Sequence, residues 1–334
     1  MAWPAAPPAA LALGAALVSL VACGAWRRFA LRRQVMDLPD ERRLHTVPTP
    51  RGGGVGIALA LLLASPWLGQ GGALFALGLL ISAGGGLWDD LRPLRALPKL
   101  GLQALGALPL ALAWPLLPGV LGEATGVFAA WLLTVSLVNI WNFMDGSNGL
   151  AASQALLVGA GSALLATAGS PAAWLGVMLA AACLGFLPWN LPTARLFLGD
   201  VGSHALGYAV AALGLMVVGQ GNASPWQWLL LPSVFLLDAG ITLALRVWRR
   251  RKFWLAHRWH LYQRAVSAGW SHVGIAAAYA AWTLCCVLLA ISADGLPAVL
   301  QLALLLGMAG LGALVYAWST RRWPLPAPVT EFQR

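Results

Sequence analysis

Long apolar segments recur along the chain, and short polar stretches separate them. A helix needs about 20 apolar residues to cross the hydrocarbon core of a bilayer, and eleven segments approach that length. They run from about 8–26, 53–69, 71–88, 100–118, 126–143, 149–168, 171–188, 203–219, 225–246, 272–291 and 295–318. Only 10% of the residues are charged, whereas about 25% are charged in a typical soluble domain. The segments therefore predict an all-α, polytopic membrane protein that is a single domain over residues 1–334, with eleven spanning helices or, as the alternative, ten.

The basic residues predict how these helices are oriented. If the N-terminus lies outside and eleven helices span the membrane, all 21 Lys and Arg residues fall in inner loops or at the C-terminus. Cytoplasmic loops of membrane proteins show this preference. Eight of the 11 acidic residues and all 5 histidines lie at the same face, which we expect to be cytoplasmic and to carry the chemistry. The net charge of +10 is then typical of such loops, and we expect no nucleic-acid partner.

Five inner loops carry residues suited to chemistry. They cover about 27–52, 89–99, 142–149, 189–203 and 247–271. In the second loop, Asp89 and Asp90 end a predicted helix, where the negative end of the helix dipole adds to their repulsion. Either nearby cations such as Lys99 compensate in a structural network, or a divalent metal or a reaction uses the pair.

The third loop repeats a polar residue every three positions, at Asn139, Asn142, Asp145 and Asn148. This spacing suits one face of a helix or a tight polar turn. Asn and Asp are also common helix caps, which is the simpler interpretation. Two of the amides, however, fall inside an apolar helix, where an unpaired amide is costly. The pattern therefore favours a polar binding site.

The fourth loop ends in Gly199, Asp200, Gly202 and Ser203 at the predicted start of the eighth helix. Asp200 can simply cap that helix. The alternative is a site for phosphate or metal-bound phosphate, since helix N-termini attract anions.

The fifth loop is strongly basic. His257, Arg258, His260 and Arg264 lie within eight positions, which suggests a clamp on a multiply charged phosphate. The alternative is a loop that fixes topology or holds anionic lipid.

The first loop contributes His45 and Arg51, with prolines that favour an extended chain and glycines that leave room beside the arginine. Together the five loops offer carboxylates, amides, cations and glycines. Metal-assisted phosphoryl transfer uses these groups, because carboxylates hold Mg²⁺ and cations neutralise phosphate charge. The chain lacks GxxxxGK[ST] and the kinase motifs, which excludes those classes of nucleotide-dependent enzyme.

The ordered motifs PTPRGGG, DD with a following lysine, NFMDGxNGLA, FLGDVGS and HRxHLYQR resemble those of the bacterial polyprenyl-phosphate N-acetylhexosamine-1-phosphate transferases (glycosyltransferase family 4). The resemblance extends from about His45 to Ser271. It implies a fold of ten or eleven spanning helices in the bacterial inner membrane, and it suggests a homodimer. It also implies transfer of a sugar 1-phosphate from a UDP-sugar to undecaprenyl phosphate with Mg²⁺, or alternatively Mn²⁺, and release of UMP.

The resemblance implies catalytic roles as well. Asp89 and Asp90 match the paired aspartates near the lipid phosphate; one of them is the proposed base or nucleophile, and which one is disputed. Lys99 matches the lysine that follows the pair. Asp145 matches the aspartate of the NxxDG motif, and Asp200 matches the Mg²⁺ ligand of the GDxGS motif.

Other matches concern the donor. Phe197 matches the aromatic residue that stacks on uracil, and Asn190 matches a polar residue of the same loop. His257 and His260 match the histidine motif implicated in binding pyrophosphate. The predicted catalytic residues are Asp89, Asp90, Asp145, His257 and His260, and the predicted metal ligand is Asp200. The predicted substrate-binding residues are His45, Arg51, Lys99, Asn139, Asn142, Asn148, Asn190, Phe197, Arg258 and Arg264.

Two departures narrow the resemblance. Many members have a second aspartate where this chain has Asn148, and the triple-histidine run of the phospho-MurNAc-pentapeptide translocases is absent. HRWHLYQR is instead similar to the branch that initiates O-antigen or other surface-glycan synthesis. The alternatives are a translocase-like enzyme and a membrane transporter, whose main support is Asp238 within the ninth predicted helix. A transporter would place its polar site near the membrane midplane, whereas the polar residues here gather at one face.

Overall fold

A computed structural model describes residues 8–39, 44, 47–251, 257–323 and 325. The regular structure of this part of the chain is helical apart from one short antiparallel pair of strands, β1 (Met36–Asp37) and β2 (Thr49–Pro50). Its α-helices are α1 (Pro8–Arg33), α2 (Gly54–Ala64), α3 (Gly72–Leu91), α4 (Ala96–Ala113), α5 (Pro118–Leu121), α6 (Glu123–Met144), α7 (Leu150–Leu165), α8 (Pro171–Asn190), α9 (Gly199–Gly219), α10 (Pro225–Leu230), α11 (Ser233–Trp248), α12 (Leu261–Ser267), α13 (His272–Ser292) and α14 (Ala298–Arg322).

Each of the eleven predicted segments coincides with a helix or with two successive helices. By length and composition, 8 helical segments of the described residues could cross a membrane. The two numbers differ because a 3₁₀ helix, Ser65–Gly71, joins α2 to α3 into one segment, α7 has only 16 residues, and α10 is separated from α11. The all-α polytopic fold is thus confirmed, while the number of spans and their orientation remain predictions.

The centre of the bundle is α9. Every residue from Val201 to Val218 is buried, and the helix contacts α2, α3, α6, α7 and α8. A helix that is apolar on all sides is stable in this way, because other helices cover each of its faces. The outer helices α1 and α14 instead expose large apolar side chains such as Val21 and Leu314, as expected of helices that face lipid.

Glycine allows α3 to approach α9 closely. A Cβ atom on Gly86 would lie 2.3 Å from the backbone oxygen of Asp200, so a larger residue would force the two helices apart. Small residues permit such close approach in membrane bundles. The contact brings the end of α3, with Asp89 and Asp90, beside the start of α9.

Candidate active site

A polar cavity of about 190 Å³ opens where α3, α6 and α8 end and α9 begins. All five predicted loops contribute to its wall, although they are far apart in sequence. The lining residues include Asp37, Arg51, Asp90, Asp145, Ser147, Asn148, Asn190, Phe197, Asp200, Gln263 and His272. The fold therefore collects the predicted motifs at one end of the bundle.

Asp90 is buried, and its carboxylate caps the first turn of α9. Oδ1 accepts a hydrogen bond from the backbone N–H of Asp200 (3.0 Å), and Oδ2 accepts one from that of Val201 (3.1 Å). The first N–H groups of a helix lack partners within the helix and favour such acceptors. Gly199 adopts a φ of +73°, and a Cβ atom there would lie 2.5 Å from Asp90 Oδ2. Glycine is therefore needed for Asp90 to reach the helix.

Arg51 connects the first loop to the aspartate pair. Its Nη2 donates to the backbone oxygen of Asp90 and, at 3.3 Å, to that of Asp89. Its Nε lies 3.9 Å from Asp90 Oδ1, and its Nη1 lies 4.0 Å from Asp37 Oδ1. Arg51 thus lies at the cavity, where its charge offsets two carboxylates.

Lys99 bridges Asp89 and Asp200. Its Nζ donates to Asp200 Oδ2 and, at 3.2 Å, to Asp89 Oδ2. The Asp89 side chain is 16% exposed, against 1% for that of Asp90. The two adjacent aspartates therefore differ: the backbone of α9 engages both oxygens of Asp90, whereas Asp89 is the more accessible carboxylate and pairs with the lysine.

Asn142 completes a contact among α4, α6 and α9. Its amide suits its neighbours when Oδ1 accepts from Lys99 Nζ (3.1 Å) and Nδ2 donates to Asp200 Oδ1 (3.1 Å) and to Ser203 Oγ (3.0 Å). The amide orientation follows from these partners. Lys99, Asn142 and Asp200 form what we call the site cluster.

Asp145 ends α6 and lines the cavity. Burial, and then the negative charges of Asp200, Asp90 and Asp37, raise the pKa of its carboxyl group well above the ordinary value. Carboxylates repel one another in this way where nearby cations do not offset their charge. The cavity therefore holds surplus negative charge.

This surplus charge suits a divalent cation. Among the described residues, no three His, Cys, Asp or Glu side chains are arranged to hold a metal by themselves. Mg²⁺ usually binds through one or two carboxylates, with waters and substrate phosphates as its other ligands. Asp200 and Asp145 both line the cavity and offer oxygen ligands of that kind. The residues therefore fit a magnesium ion held jointly with a phosphate-bearing substrate.

Asn190 fixes the turn that follows Asp145. Its Oδ1 accepts the backbone N–H of Gly149, and its Nδ2 donates to the backbone oxygen of Leu196 (3.0 Å). Asn148 and Phe197 lie on the two segments that Asn190 joins, and both line the cavity. The Asn190 amide is thus occupied by backbone groups, whereas Asn148 and Phe197 are positioned to contact a ligand.

The histidine loop reaches the cavity wall through its neighbours. His260 is buried, its Nδ1 lies 3.4 Å from Asp238 Oδ1, and its ring stacks on Tyr262 with centroids 5.8 Å apart. Tyr262 in turn packs against Gly146, which lines the cavity. The ring centroid of His257 lies 5.0 Å from that of His260. Neither histidine is among the residues that line the cavity.

His257 differs from the predicted cationic clamp. Burial, and then the charges of His260 and Arg246, lower the pKa of His257 to about 3. Its Nδ1 accepts the backbone N–H of Trp259 (3.3 Å), so the neutral ring carries its proton on Nε2. Such a ring can donate a hydrogen bond to a phosphate but adds no positive charge. Arg258, the next residue, does not line the cavity.

Two predicted substrate-binding residues are directed away from the cavity. The Arg264 guanidinium is buried and donates to the backbone oxygen of Trp323 (3.0 Å) and to Ser319 Oγ (2.9 Å). Asn139 donates to Gln103 Oε1 (2.7 Å) between helices. Buried polar groups need such partners. The structure therefore gives both residues a position in helix packing, in place of the predicted one at the cavity.

Asp238, the main support for a transporter, is engaged by neighbouring groups. Its Oδ1 accepts the backbone N–H of Leu261 (2.9 Å), and its Oδ2 accepts the Tyr279 hydroxyl (2.7 Å). It also faces His260. Asp238 thus anchors the histidine loop to α11 and α13.

Four residues with polar side chains line the cavity but are absent from the sequence-based site: Asp37, Ser147, Gln263 and His272. Ser147 Oγ and His272 Nδ1 lie 2.8 Å apart across the turn between α6 and α7 and the start of α13. Asp37 and His272 belong to the acids and histidines that collect at one face, which is the signal that could have found them. Ser147 and Gln263 carry no comparable signal. His45 lies outside the described residues.

Comparison with known proteins identifies the family. Residues 73–218 match the family model described as Glycosyl transferase family 4. Decaprenyl-phosphate N-acetylglucosaminephosphotransferase of Mycolicibacterium smegmatis is 34% identical over an alignment that covers 83% of this chain and 82% of that protein. Undecaprenyl-phosphate alpha-N-acetylglucosaminyl 1-phosphate transferase of Thermotoga maritima is 34% identical over 58% of this chain and 60% of its own. Phospho-N-acetylmuramoyl-pentapeptide-transferase of Synechococcus sp. is 36% identical over 45% of each chain. The chain therefore belongs to the polyprenyl-phosphate N-acetylhexosamine-1-phosphate transferases of glycosyl transferase family 4.

Proposed function

We propose that this protein transfers an N-acetylhexosamine 1-phosphate group from a UDP-sugar to undecaprenyl phosphate and releases UMP. The observation that carries the proposal is the convergence of five loops on one acidic cavity beside the site cluster. The relatives from M. smegmatis and T. maritima are named for decaprenyl and undecaprenyl phosphate, which supports a polyprenyl phosphate as the acceptor. Both names also contain N-acetylglucosamine, so UDP-GlcNAc is the first donor to test.

The donor fits the wall of the cavity that carries Phe197 and Asp200. The Phe197 ring offers a surface on which uracil can stack, and Asn148 offers an amide for hydrogen bonding. Asp200 and Asp145 would hold Mg²⁺, or alternatively Mn²⁺, at the pyrophosphate. When bound, the ion neutralises charge on the phosphates. The neutral His257 and the buried His260 support this wall through Tyr262.

The acceptor fits the side of the site formed by Asp89 and Lys99. The second pKa of a phosphate monoester is about 6, so the lipid phosphate is already largely ionised at neutral pH. Asp89, the more accessible aspartate, takes up the remaining proton, and Lys99 holds the resulting dianion. A phosphate oxygen then attacks the β-phosphorus of the UDP-sugar. The bond from that phosphorus to the bridging oxygen breaks, and UMP leaves with the bridging oxygen.

We propose that the reaction takes place at the cytoplasmic face of a bacterial inner membrane. This agrees with the predicted topology, in which all 21 Lys and Arg residues lie at that face. The product, undecaprenyl-diphosphate-sugar, would initiate O-antigen or a related surface glycan. A homodimer in the bilayer is the oligomer we propose.

Phospho-MurNAc-pentapeptide transfer is the second candidate, because the Synechococcus relative carries that name. That match covers 45% of this chain, whereas the M. smegmatis match covers 83%. The HRWHLYQR motif also lacks the triple-histidine run. A transporter is a weaker alternative, since Asp238 is engaged by Leu261 and Tyr279.

Release of UMP tests the proposal directly. Purified protein in detergent is supplied with undecaprenyl phosphate, Mg²⁺ and a panel of UDP-sugars that includes UDP-MurNAc-pentapeptide. We expect UMP with at least one UDP-N-acetylhexosamine, no UMP after chelation of divalent cations, and recovery when Mg²⁺ is restored. Release with the pentapeptide donor alone would favour the second candidate, and no UMP with any donor would contradict the proposed reaction.

A further inference from the structure

A chain of polar side chains, two of them buried and one (Asn139) partly buried, crosses the bundle one helical turn away from the site cluster. His204 Nδ1 lies 3.1 Å from the backbone oxygen of Ser82, and His204 Nε2 lies 3.0 Å from Gln103 Nε2. Asn139 Nδ2 donates to Gln103 Oε1 (2.7 Å) and to the backbone oxygen of Val135 (2.9 Å). His204 and Gln103 are each 1% exposed. We call His204, Gln103 and Asn139 the buried polar chain.

The partners fix the direction of every hydrogen bond in this chain. The Ser82 backbone oxygen can only accept, so His204 Nδ1 carries the proton and Nε2 is the acceptor. Gln103 must then donate to His204 through its nitrogen and accept from Asn139 through its oxygen. The Val135 backbone oxygen accepts the other Asn139 hydrogen. The buried polar chain therefore has one arrangement of hydrogen atoms in which every hydrogen bond is made, and in that arrangement the His204 imidazole is neutral.

The buried polar chain links α3, α4, α6 and α9, the four helices that carry the aspartate pair and the site cluster. Ser82 lies in α3, which also carries Asp89 and Asp90. Each of the other three helices carries one member of the buried polar chain and one member of the site cluster, three or four positions apart, which is one helical turn. These pairs are Gln103 and Lys99 on α4, Asn139 and Asn142 on α6, and His204 and Asp200 on α9.

Such a chain constrains how the helices can move. A slip or rotation of one helix would leave buried donors or acceptors unpaired, and each such group costs about 1–3 kcal/mol. His204 and Gln103 are buried inside the bundle, where a polar group that loses its partner is costly. The satisfied arrangement is therefore strongly preferred, and it fixes the relative register of α3, α4, α6 and α9.

We propose that His204, Gln103 and Asn139 are positioning residues that hold Lys99 and Asp200 in register for the reaction. This inference rests on the proposed function for its effect on turnover. The three residues act through the helices and do not touch the substrates. Partners behind metal-binding residues typically change activity or metal affinity about 10- to 100-fold when removed, so we expect His204→Leu to lower kcat by that factor.

Tyr208 provides a matched control. It lies one turn beyond His204 on α9, it is also buried, and its hydroxyl donates to the backbone oxygen of Phe75 on α3 (3.2 Å). Tyr208→Phe thus removes a buried hydrogen bond between the same two helices, but one outside the buried polar chain. We expect its kcat to stay close to that of the unaltered protein. His204→Gln, which keeps one donor and one acceptor, is expected to recover most of the activity that His204→Leu loses.

Acylation of Lys99 by an amine-specific reagent gives a readout that needs neither turnover nor metal. The chain has one other lysine, Lys252, which serves as the internal reference. In the unaltered protein the partly buried Lys99 amine is paired with Asp200, so its modification, followed by peptide mass spectrometry, should be slow. His204→Leu should accelerate it several-fold relative to Lys252, whereas Tyr208→Phe should not.

The outcomes separate the two proposals. Unchanged Lys99 acylation and kcat in His204→Leu would overturn the positioning role, and so would equal losses in Tyr208→Phe, which would indicate a general loss of packing. If His204→Leu does not fold, Gln103→Met interrupts the same chain with a side chain of similar length and has the same expected outcomes. An unaltered protein that releases no UMP counts against the proposed function alone, because the acylation of Lys99 still decides the inference.

Discussion

Asp90 and Asp200 lie 110 positions apart in sequence, and the Asp90 carboxylate accepts the backbone N–H of Asp200 at 3.0 Å. The Asp200 side chain, held at the start of α9, pairs with Lys99. Asp90 thus orients Asp200 by capping its helix, whereas the carboxylate of Asp200 itself pairs with Lys99. The adjacent Asp89 takes no part in this cap and remains the more accessible of the pair.

Asp90→Asn should lower both stability and turnover, whereas Asp89→Asn should lower turnover with little loss of stability. An amide at position 90 presents a donor to one of the two helix N–H groups, and the loss of a helix cap costs about 0.5–2 kcal/mol. Unfolding midpoints in detergent, measured beside UMP release, compare the two variants. A less stable Asp89→Asn with an unaffected Asp90→Asn would contradict these roles.

Asp200→Asn should abolish turnover. The substitution removes the charge that pairs with Lys99 and weakens the oxygen ligand for the divalent cation. Asp294→Asn, at an exposed aspartate in the connection between α13 and α14, is the control and should keep full activity. Release of UMP measures both variants. Normal turnover in Asp200→Asn would remove the assignment of Asp200 as metal ligand.

Asp145→Asn should stabilise the protein at neutral pH while it lowers activity. The carboxyl pKa is raised in the folded state, so the unfolded chain releases this proton first as the pH rises above about 3.9. Stability therefore falls as the pH rises from that value through the folded-state pKa. The amide lacks this penalty. Unfolding midpoints between pH 5 and 8 should show the variant gaining on the unaltered protein as pH rises, and parallel curves would contradict the raised pKa.

The lowered pKa of His257 predicts that its contribution to stability rises with pH, opposite to that of Asp145. Its pKa is about 3 in the folded protein and about 6.5 in an unfolded chain. The unfolded chain takes up the proton first, so stability is full above about pH 6.5 and is lost as the pH falls toward 3. His257→Asn keeps an acceptor for the Trp259 N–H but does not titrate. Its unfolding midpoint should fall less than that of the unaltered protein between pH 7 and 5, and an equal fall would show that His257 is not held neutral.

Arg264→Met should reduce stability and leave turnover by the folded protein nearly unchanged. The guanidinium binds Trp323 and Ser319 and lies 4.8 Å from the Tyr316 ring centroid. Hydrogen bonds to charged groups contribute about 1.5–3 kcal/mol each. Unfolding midpoints and kcat, corrected for the folded fraction, test the expectation. A large rise in KM for the donor with unchanged stability would contradict this expectation and would support the predicted role of Arg264 in binding phosphate.

The helices and the convergence of the loops can be predicted from the sequence, because both follow from the alternation of apolar and polar segments. Each predicted segment contains a helix, and residues of all five predicted loops line one cavity. The helix ends are less predictable. For example, α1 continues to Arg33, beyond the predicted end near residue 26, because a helix can extend past the apolar stretch with its charged end in water.

The direction of individual side chains could not be predicted. Asn139 and Asn142 share one spacing pattern, yet Asn142 contacts Asp200 and Asn139 contacts Gln103, because one turn separates their depths in the bundle. Arg264 belongs to a motif but lies on the short helix α12, whose orientation is set by α14 and by Asp238. Tertiary packing, which local spacing does not encode, decides these cases.

Gly86 carries no side chain, yet it determines how near two acidic helix ends can come. A single methyl group there would meet the backbone of Asp200, so even alanine would widen the crossing of α3 and α9 and pull Asp90 from its helix cap. The geometry of the acidic pair and its helix cap therefore depends on the absence of a side chain at one position of α3, where the crossing with α9 leaves no room for an added atom.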